Sequence, residues 1–221
     1  MTKVLLIRHC RSTANADGVL AGRMPGVALD DRGREQALRL RDVLARVSLA
    51  AAYTSPIERC RETAELAGLA QAEVVAGLSE CDYGEWSGRS LADLACEPLW
   101  ERVQSHPGAV RFPGGESMLE MRDRVTQAVR AIAARHEAGE VVAVVSHGDP
   151  IKAVLADALG LDFDLFQRID VGPASVSLID YSNPERPVVQ LINGGSDLAG
   201  MLAALHRPTL GGGDLPAPDQ G

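Results

Sequence analysis

Two short apolar segments, each followed closely by a histidine, constrain the fold of this chain more than any other feature. Lys3–Ile7 leads directly into Arg8 and His9, and Val141–Val145 ends two residues before His147. Short apolar runs of this kind are typical of strands that are buried on both faces of a parallel sheet. Because ligands bind outside the carboxyl ends of such strands, we expect the two histidines to share one site.

Apolar residues at helical spacing follow these strands. The spacing predicts a helix over roughly Asp31 to Val47 and a second helix whose capping box is formed by Ser55 and Glu58, with Pro56 at the first helical position. In each segment four apolar or small residues fall on one face, which is the pattern of a helix packed on a sheet. These residues are Ala37, Leu40, Leu44 and Val47 in the first segment and Ile57, Cys60, Ala64 and Ala67 in the second.

Two further helix starts carry recognisable caps. Ser117 and Glu120 form a capping box that opens a long amphipathic helix, and Asp149 followed by Pro150 resembles an N-cap and a first helical residue. The remaining strands are predicted at Ala50–Tyr53, Ser175–Tyr181 and Val188–Ile192. Strands that alternate with helices predict an α/β fold, namely a three-layer α/β/α sandwich around a mostly parallel sheet.

Composition excludes several classes of function. The 221 residues include 22 Lys and Arg against 30 Asp and Glu, a net charge of −8, which disfavours binding to nucleic acids and to anionic membrane surfaces. The longest apolar runs have five residues, far below the roughly 18 that a membrane span needs. The start of the chain does not have the pattern of a signal peptide. We therefore expect a cytoplasmic protein, with its four cysteines reduced.

The groups expected near the strand ends are rich in hydrogen-bond donors and positive charge. They are Arg8, His9, Arg11, Ser12, Asn15, Arg59 and His147. Such a set complements a phosphate or a carboxylate, and the helix starts after Ser55 and Gly148 would add backbone N–H groups. No carboxylates with metal-ligand spacing accompany them, so phosphoryl chemistry here would need a side-chain nucleophile, for which a neutral imidazole is suited.

Five sequence blocks in this order resemble the histidine phosphatase superfamily, in its phosphoglycerate-mutase-like branch. The blocks are Leu5–Asn15, Gly22–Ala37, Ser55–Arg59, Leu78–Gly88 and Val145–Gly148, and the Pro113–Ser117 segment is typical of phosphatase members. The resemblance covers about residues 3–195 and implies a catalytic domain over residues 1–198. Residues 199–221 are rich in Gly and Pro toward their end and are predicted to form a partly disordered tail.

The resemblance implies a role for each matched position. His9 would attack phosphorus and carry the phosphoryl group, and Glu80 would protonate the leaving oxygen and then activate water. The phosphoryl and substrate contacts would come from Arg8, Ser12, Asn15, Gly22, Arg23, Arg59, His147 and Gly148. Neighbouring guanidinium groups fit the role of His9, because they disfavour its charged form. The resemblance further implies a small phosphorylated metabolite as substrate, no metal or cofactor, and a homodimer.

Two positions depart from the usual pattern and leave alternatives open. Cys10 stands where the family has glycine after the nucleophile, and it is either a buried thiol or a redox-sensitive one. Asp149 stands where many relatives have glycine. Because distant two-domain members use an aspartate next to the second histidine as proton donor, Asp149 rivals Glu80 for that role, and its alternative role is the helix cap.

Three functions fit these observations. The favoured one is a metal-independent phosphomonoesterase. A phosphomutase is the alternative, but strong mutases of the family carry a long basic insertion that the short Gly88–Pro113 segment does not contain. A phosphate-binding module without turnover is the third, and the joint presence of His9, Arg8, Arg59, Glu80 and His147 argues against it.

Overall fold

The computed structural model describes residues 2–194, so the predicted tail at 199–221 lies outside the described part of the chain. The strands are β1 (Lys3–Arg8), β2 (Ala51–Thr54), β3 (Glu73–Val74), β4 (Val141–Ser146), β5 (Val176–Asp180) and β6 (Val188–Gly194). The helices are α1 (Thr13–Asp17), α2 (Asp31–Leu44), α3 (Glu58–Leu66), α4 (Leu91–Leu94), α5 (Pro98–Ser105), α6 (Met118–Ala134) and α7 (Gly148–Ala158). Within residues 2–194, no helix combines the length and apolar character that crossing a bilayer requires.

The strands form one sheet in the order β3-β2-β4-β1-β5-β6. The first four in this order run parallel, whereas β5 is antiparallel to β1 and β6 is antiparallel to β5. The prediction of a mostly parallel sheet is therefore confirmed. Because β1 and β4 are neighbours in parallel register, with Arg8 paired to Ser146, both strands end at the same level and place His9 beside His147.

Alternate residues of β1 face two separate helical layers. Val4 and Leu6 are buried in the core that includes the apolar faces of α6 and α7, while Leu5 and Ile7 are buried against α2 and α3. Successive side chains of a strand point to opposite faces of the sheet, so a strand with four consecutive buried residues requires cover on both sides. The structure thus confirms the three-layer sandwich predicted from the alternation of strands and helices.

The helix starts agree with the sequence prediction only in part. The capping box of Ser117 and Glu120 forms as expected at the start of α6. The box predicted at Ser55 is wrong, because α3 begins at Glu58 and Ile57 is its N-cap without a side-chain bond. The Ser55 hydroxyl oxygen accepts from the backbone N–H of Ile57 at 3.3 Å and lies 2.8 Å from Nε2 of His147. At its other end the first predicted helix, α2, ends at Leu44, three residues earlier than expected.

The predicted cap at Asp149 is also wrong. Helix α7 begins at Gly148, directly after β4, and His147 occupies the N-cap position with extended backbone angles. The strand leads into the helix with a single residue between them, so Asp149 falls within the first helical turn. Its carboxylate is consequently available to the cavity at the end of the sheet.

Candidate active site

Two buried imidazole rings lie side by side where β1 and β4 end. His9 is 3% exposed and His147 is fully buried, and their ring centroids are 5.3 Å apart. Helix α7 starts immediately after His147, so its positive end and its first backbone N–H groups lie at this edge of the sheet. The strand ends therefore bring together the two histidines that the sequence places 138 positions apart.

The contacts of His9 define which of its nitrogens is free to react. Nδ1 lies 2.8 Å from the carbonyl oxygen of Cys10, which can only accept, so Nδ1 carries the proton. Nε2 then holds a lone pair, and it accepts a hydrogen bond from Nε of Arg59 at 3.1 Å. Burial, followed by the charges of Arg59 and Arg8, holds the pKa of His9 well below its usual value. His9 is thus a neutral imidazole at physiological pH.

Arg59 organises the base of the site. It is 2% exposed, and its Nη2 donates to the carbonyl of Gly22 at 2.8 Å and to Nδ1 of His147 at 3.1 Å. Within residues 2–194, its Nη1 and the Nε of Arg8 are buried and have no hydrogen-bond acceptor. A buried guanidinium nitrogen without a partner is costly, and an anion would satisfy both of these donors with charge-assisted hydrogen bonds.

His147 is held by contacts on both ring nitrogens. Because Nδ1 accepts from Arg59, Nε2 carries the proton and donates to Oγ of Ser55 at 2.8 Å. Burial and the charge of Arg59 lower the pKa of His147 well below its usual value. Ser55 was not predicted as a site residue, since its pattern with Glu58 resembles a helix cap. Sequence reasoning had no signal for its contact with a histidine 92 positions away.

Glu80 lies in the same cavity and is only 8% exposed. Its Oε1 accepts a hydrogen bond from the N–H of Cys81 at 2.9 Å. Burial and then the negative charge of Asp149 raise its pKa to about 7, against the opposing effects of Arg59 and Arg8. A carboxyl with this pKa can give up or take up a proton near neutral pH, which is what general acid and base catalysis needs.

Asp149 is fixed beside Glu80 by two other side chains. Its Oδ2 accepts from the hydroxyl of Tyr83 at 2.8 Å, and its Oδ1 lies 3.3 Å from Nζ of Lys152. Lys152 also donates to the side-chain oxygen of Gln167. These contacts occupy both oxygens of Asp149, whereas Glu80 has one oxygen without a protein contact within residues 2–194. The geometry therefore favours Glu80 over Asp149 as the proton donor.

The other predicted contact residues divide into two groups. Ser12, Asn15, Gly22 and Gly148 line the cavity, and Ser12 donates its hydroxyl proton to Oδ1 of Asn15 at 3.0 Å. Arg23 does not line the cavity: its Nε donates to the backbone carbonyl of Glu80 at 2.8 Å. It therefore positions the Glu80 loop from behind.

Gly148 has a steric reason to lack a side chain. A Cβ at this position would lie 3.3 Å from Cζ of Arg8, which is tighter than ordinary van der Waals contact. The guanidinium of Arg8 would have to shift if the glycine were replaced. Arg11, in contrast, pairs with Asp30 at 3.3 Å and lies outside the cavity.

Cys10 occupies the position where the family has glycine, and it does so without backbone strain. Its φ angle is not in the left-handed region, and its N–H donates to Oγ1 of Thr63 at 3.0 Å. The thiol is fully buried against Leu29 and Ala37, and burial raises its pKa to about 12. A thiol that stays protonated is poorly reactive, so the structure favours the buried-thiol alternative over the redox-sensitive one.

Arg8, His9, Arg59 and Glu80 line one cavity of about 450 Å³ at the carboxyl edge of the sheet. His147 is fully buried and does not line this cavity, although it contacts Arg59. Two guanidinium groups line the cavity beside the neutral imidazole of His9, a combination suited to a doubly charged phosphoryl group. The volume of the cavity also leaves room for the alcohol that such a group esterifies. Fold and site together define an α/β/α enzyme of phosphate ester chemistry.

Comparison with known proteins identifies the family. Residues 4–194 match the model of the histidine phosphatase superfamily, branch 1, and the chain belongs to this family. It is 33% identical over 213 residues to phosphoserine phosphatase 1 of Hydrogenobacter thermophilus, covering 94% of this chain and 99% of that protein. It is 32% identical over 192 residues to an acid phosphatase of Mycobacterium tuberculosis, covering 86% and 91%. These relatives and the family match show that the chain is a phosphatase.

A solved structure supports the same conclusion about the fold. The alpha-ribazole phosphatase of Shigella flexneri superposes with a TM-score of 0.76 at 26% sequence identity, and the match covers 87% of this chain and 96% of that one. The resemblance drawn from the five sequence blocks is thereby confirmed.

Proposed function

We propose that this chain is a metal-independent phosphomonoesterase that forms a phosphohistidine on His9 and uses Glu80 as its proton donor. One observation carries the proposal: Arg8 and Arg59 line the same cavity as His9, and within residues 2–194 each has a buried guanidinium nitrogen without an acceptor, close to the lone pair on Nε2 of His9. A phosphoryl group bound to these donors would lie next to a neutral nucleophile.

The first half of the reaction moves the phosphoryl group to the enzyme. Nε2 of His9 forms a bond to phosphorus while the bond from phosphorus to the ester oxygen breaks, and the protonated carboxyl of Glu80 gives its proton to that oxygen. Arg59, which donates to Nε2 in the free site, turns this donor toward the phosphoryl oxygens. Nη1 of Arg59 and Nε of Arg8, which have no acceptor within residues 2–194, also donate to these oxygens and stabilise the charge of the transition state.

The second half returns the phosphoryl group to water. The ionised Glu80 takes a proton from a water molecule while the oxygen of that water forms a bond to phosphorus. The bond between phosphorus and Nε2 of His9 breaks at the same time. His9 returns to its neutral form because the proton stays on Nδ1, where it is hydrogen-bonded to the carbonyl oxygen of Cys10. Inorganic phosphate leaves, and Glu80 is protonated again for the next cycle.

The segment between Gly88 and Pro113 supports water as the acceptor, and not a second substrate molecule as in a mutase. Its three arginines do not line the cavity: Arg89 pairs with Glu97, Arg111 with Glu120, and Arg102 donates to a backbone carbonyl. This segment therefore supplies few cations that could hold the substrate in the site while the phosphoryl group is transferred back to it. The non-catalytic module is disfavoured by the raised pKa of Glu80, which is costly without a catalytic use.

The proposed substrate class is a small phosphorylated metabolite. Relatives named as phosphoserine, acid and alpha-ribazole phosphatases support phosphomonoesters in general without selecting one. The net charge of −8 supports a small substrate over nucleic acids and membrane lipids. We propose the cytoplasm as the location, in keeping with four cysteines that are all free.

The function is tested by measuring hydrolysis of two phosphomonoesters together with isomerisation of the one that a mutase would use. We expect 3-phosphoglycerate and p-nitrophenyl phosphate to release stoichiometric inorganic phosphate without added metal or bisphosphoglycerate. A phosphate assay measures hydrolysis, and ³¹P NMR of the same mixture detects isomerisation. Isomerisation without phosphate release would favour the mutase, and the absence of both would contradict an enzymatic function on these esters.

The pH dependence should reflect His9 and Glu80. Leaving-group protonation needs the protonated form of Glu80, so we expect kcat/KM to fall as the pH rises through about 7. Since the lowered pKa of His9 keeps it neutral above mildly acidic pH, activity should persist well below pH 6.5. An alkyl phosphate is the suitable substrate, because its alcohol leaves only when protonated. A rate that still climbs above pH 9 would contradict this assignment.

Asp149→Asn tests whether the charge of Asp149 raises the pKa of Glu80. The substitution removes the negative charge that raises the pKa of Glu80, while an amide can still accept from the Tyr83 hydroxyl. We therefore expect the alkaline limb of the pH profile to move to lower pH with substantial activity retained below it. An unchanged limb would mean that Asp149 does not affect the proton donor. Loss of activity at all pH values would assign the donor role to Asp149.

A further inference from the structure

Aromatic residues are concentrated in the part of the cavity that lies beyond the phosphate donors. The chain contains only two tryptophans, three tyrosines and three phenylalanines. Four of these eight residues line this one cavity: Tyr83, Trp86, Trp100 and Phe112. The other four, Tyr53, Phe163, Phe166 and Tyr181, are buried in the core, so half of the aromatic side chains of the chain meet at this one cavity.

Trp100 is held in place by aromatic packing behind it. Its ring stacks on Trp86, with centroids 6.3 Å apart and planes inclined by 24°, and Trp86 meets the edge of Phe112 at 5.3 Å. Trp86 and Phe112 are buried, whereas Trp100 is only half-buried. A ring that is already fixed loses little conformational freedom when a ligand packs against it.

Aliphatic side chains extend this surface on both sides of Trp100. Val103 lies three residues further along α5, and so on the same face of the helix. Leu20 and Leu91 reach the cavity from the segments before and after the Glu80 loop, and Leu91 is 39% exposed. We refer to Leu20, Leu91, Trp100 and Val103 as the aromatic wall.

Lys152 and Asp149, two of the charged residues that line the cavity, contact each other, whereas Arg168 and Asp170 are exposed. Lys152 contacts Asp149 and Gln167, and its ammonium lies 4.4 Å from the centre of the Phe166 ring. A charged leaving group would have to compete with these contacts. Arg168 is at the rim and exposed, where solvent screens its charge. The apolar side of the cavity therefore offers the stronger selective surface for the alcohol part of a substrate.

We propose that the aromatic wall is a leaving-group subsite that binds an aromatic ring, so that the preferred substrates are phosphomonoesters of aryl-bearing alcohols. The inference rests on the phosphatase function proposed above and names the substrate class for that site. Stacking and edge contacts of a substrate ring with Trp100, together with burial of its apolar area, supply the preference.

The test compares two esters of equal chemical reactivity. 2-Phenylethyl phosphate and ethyl phosphate both have a primary alcohol as leaving group, so a difference in kcat/KM reports binding of the ring. We expect the native protein to favour the aryl ester by at least about tenfold, a ratio that corresponds to roughly 1.4 kcal/mol. Trp100→Ala should reduce the ratio about tenfold, mainly through KM for the aryl ester, and Trp100→Phe should retain part of it.

The control is Leu38→Ala, which trims an exposed apolar side chain of α2 outside the cavity and should leave the ratio unchanged. The ratio is independent of the fraction of folded protein, so a partly unfolded Trp100→Ala preparation still gives a valid result. A native ratio near one, or a ratio that Trp100→Ala leaves intact, would overturn the subsite. Failure to hydrolyse either ester would instead contradict the phosphatase function itself.

Discussion

Replacing His9 by alanine should abolish hydrolysis while leaving phosphate binding intact. The substitution removes Nε2, the proposed nucleophile, but keeps the guanidinium donors of Arg8 and Arg59 that have no acceptor within residues 2–194. We expect kcat to fall at least about 10⁴-fold, the scale of loss seen when a hydrolase loses its nucleophile. Calorimetry with inorganic phosphate should still detect binding, because the loss of a neutral ring leaves the positive charge of the site unchanged.

The same variant tests the covalent intermediate. In the native protein, turnover of ³²P-labelled phenyl phosphate quenched in base should leave label on the chain that is stable to base and lost in acid, as expected of phosphohistidine. His9→Ala should carry none. His106→Ala is the matched control, since His106 is exposed and contacts only Ser105 through its ring. Its label and its kcat should equal those of the native protein.

Two results would contradict the mechanism. Residual hydrolysis by His9→Ala at more than about 1% of the native rate would mean that water attacks the substrate directly. Turnover of phenyl phosphate by the native protein without an acid-labile ³²P label on the chain would lead to the same conclusion. Either result would leave the phosphate site in place but remove the covalent step.

The sheet and its histidines could be predicted from sequence because both depend on local patterns. The apolar runs before His9 and His147 specify buried strands, and parallel strands that are neighbours must end at the same edge. The periodicity of α6 and its capping box at Ser117 likewise lie within a single helix. Glu80 follows no periodic segment, and only the family resemblance singled it out.

The contacts of Ser55 and Asp149 could not be predicted, because they join segments far apart in sequence. Each residue occupies a pattern that is typical of a helix cap, and in each case a contact across the site takes the place of the cap. The partner of Asp149, Tyr83, is 66 positions away. A local pattern carries no information about such a partner. The prediction of a helix cap was therefore wrong at both residues, whose side chains contact other residues of the active site.

Glu80→Gln should slow both halves of the reaction, and the two effects can be separated by choice of substrate. Glutamine keeps the size of the side chain and can still accept from the N–H of Cys81. It cannot donate an acidic proton to an alcohol or take one from water. For ethyl phosphate, we expect kcat/KM to fall about 10²–10⁴-fold, the range for loss of a general acid. The alkaline limb near pH 7 should disappear with it, since the group whose pKa is raised to about 7 is gone.

For p-nitrophenyl phosphate the same variant should behave differently. Nitrophenolate leaves without protonation, so transfer to His9 should remain comparatively fast, whereas hydrolysis of the phosphohistidine still needs a base. Glu80→Gln should therefore release a burst of nitrophenolate, up to one equivalent per active site, followed by a slow steady state, and ³²P label should accumulate on His9. Asp149→Asn retains the carboxyl of Glu80 and should show no such burst. An equal loss of kcat/KM on both esters, without a burst, would mean that Glu80 binds substrate but does not transfer a proton. Only a role in proton transfer depends on the acidity of the leaving alcohol.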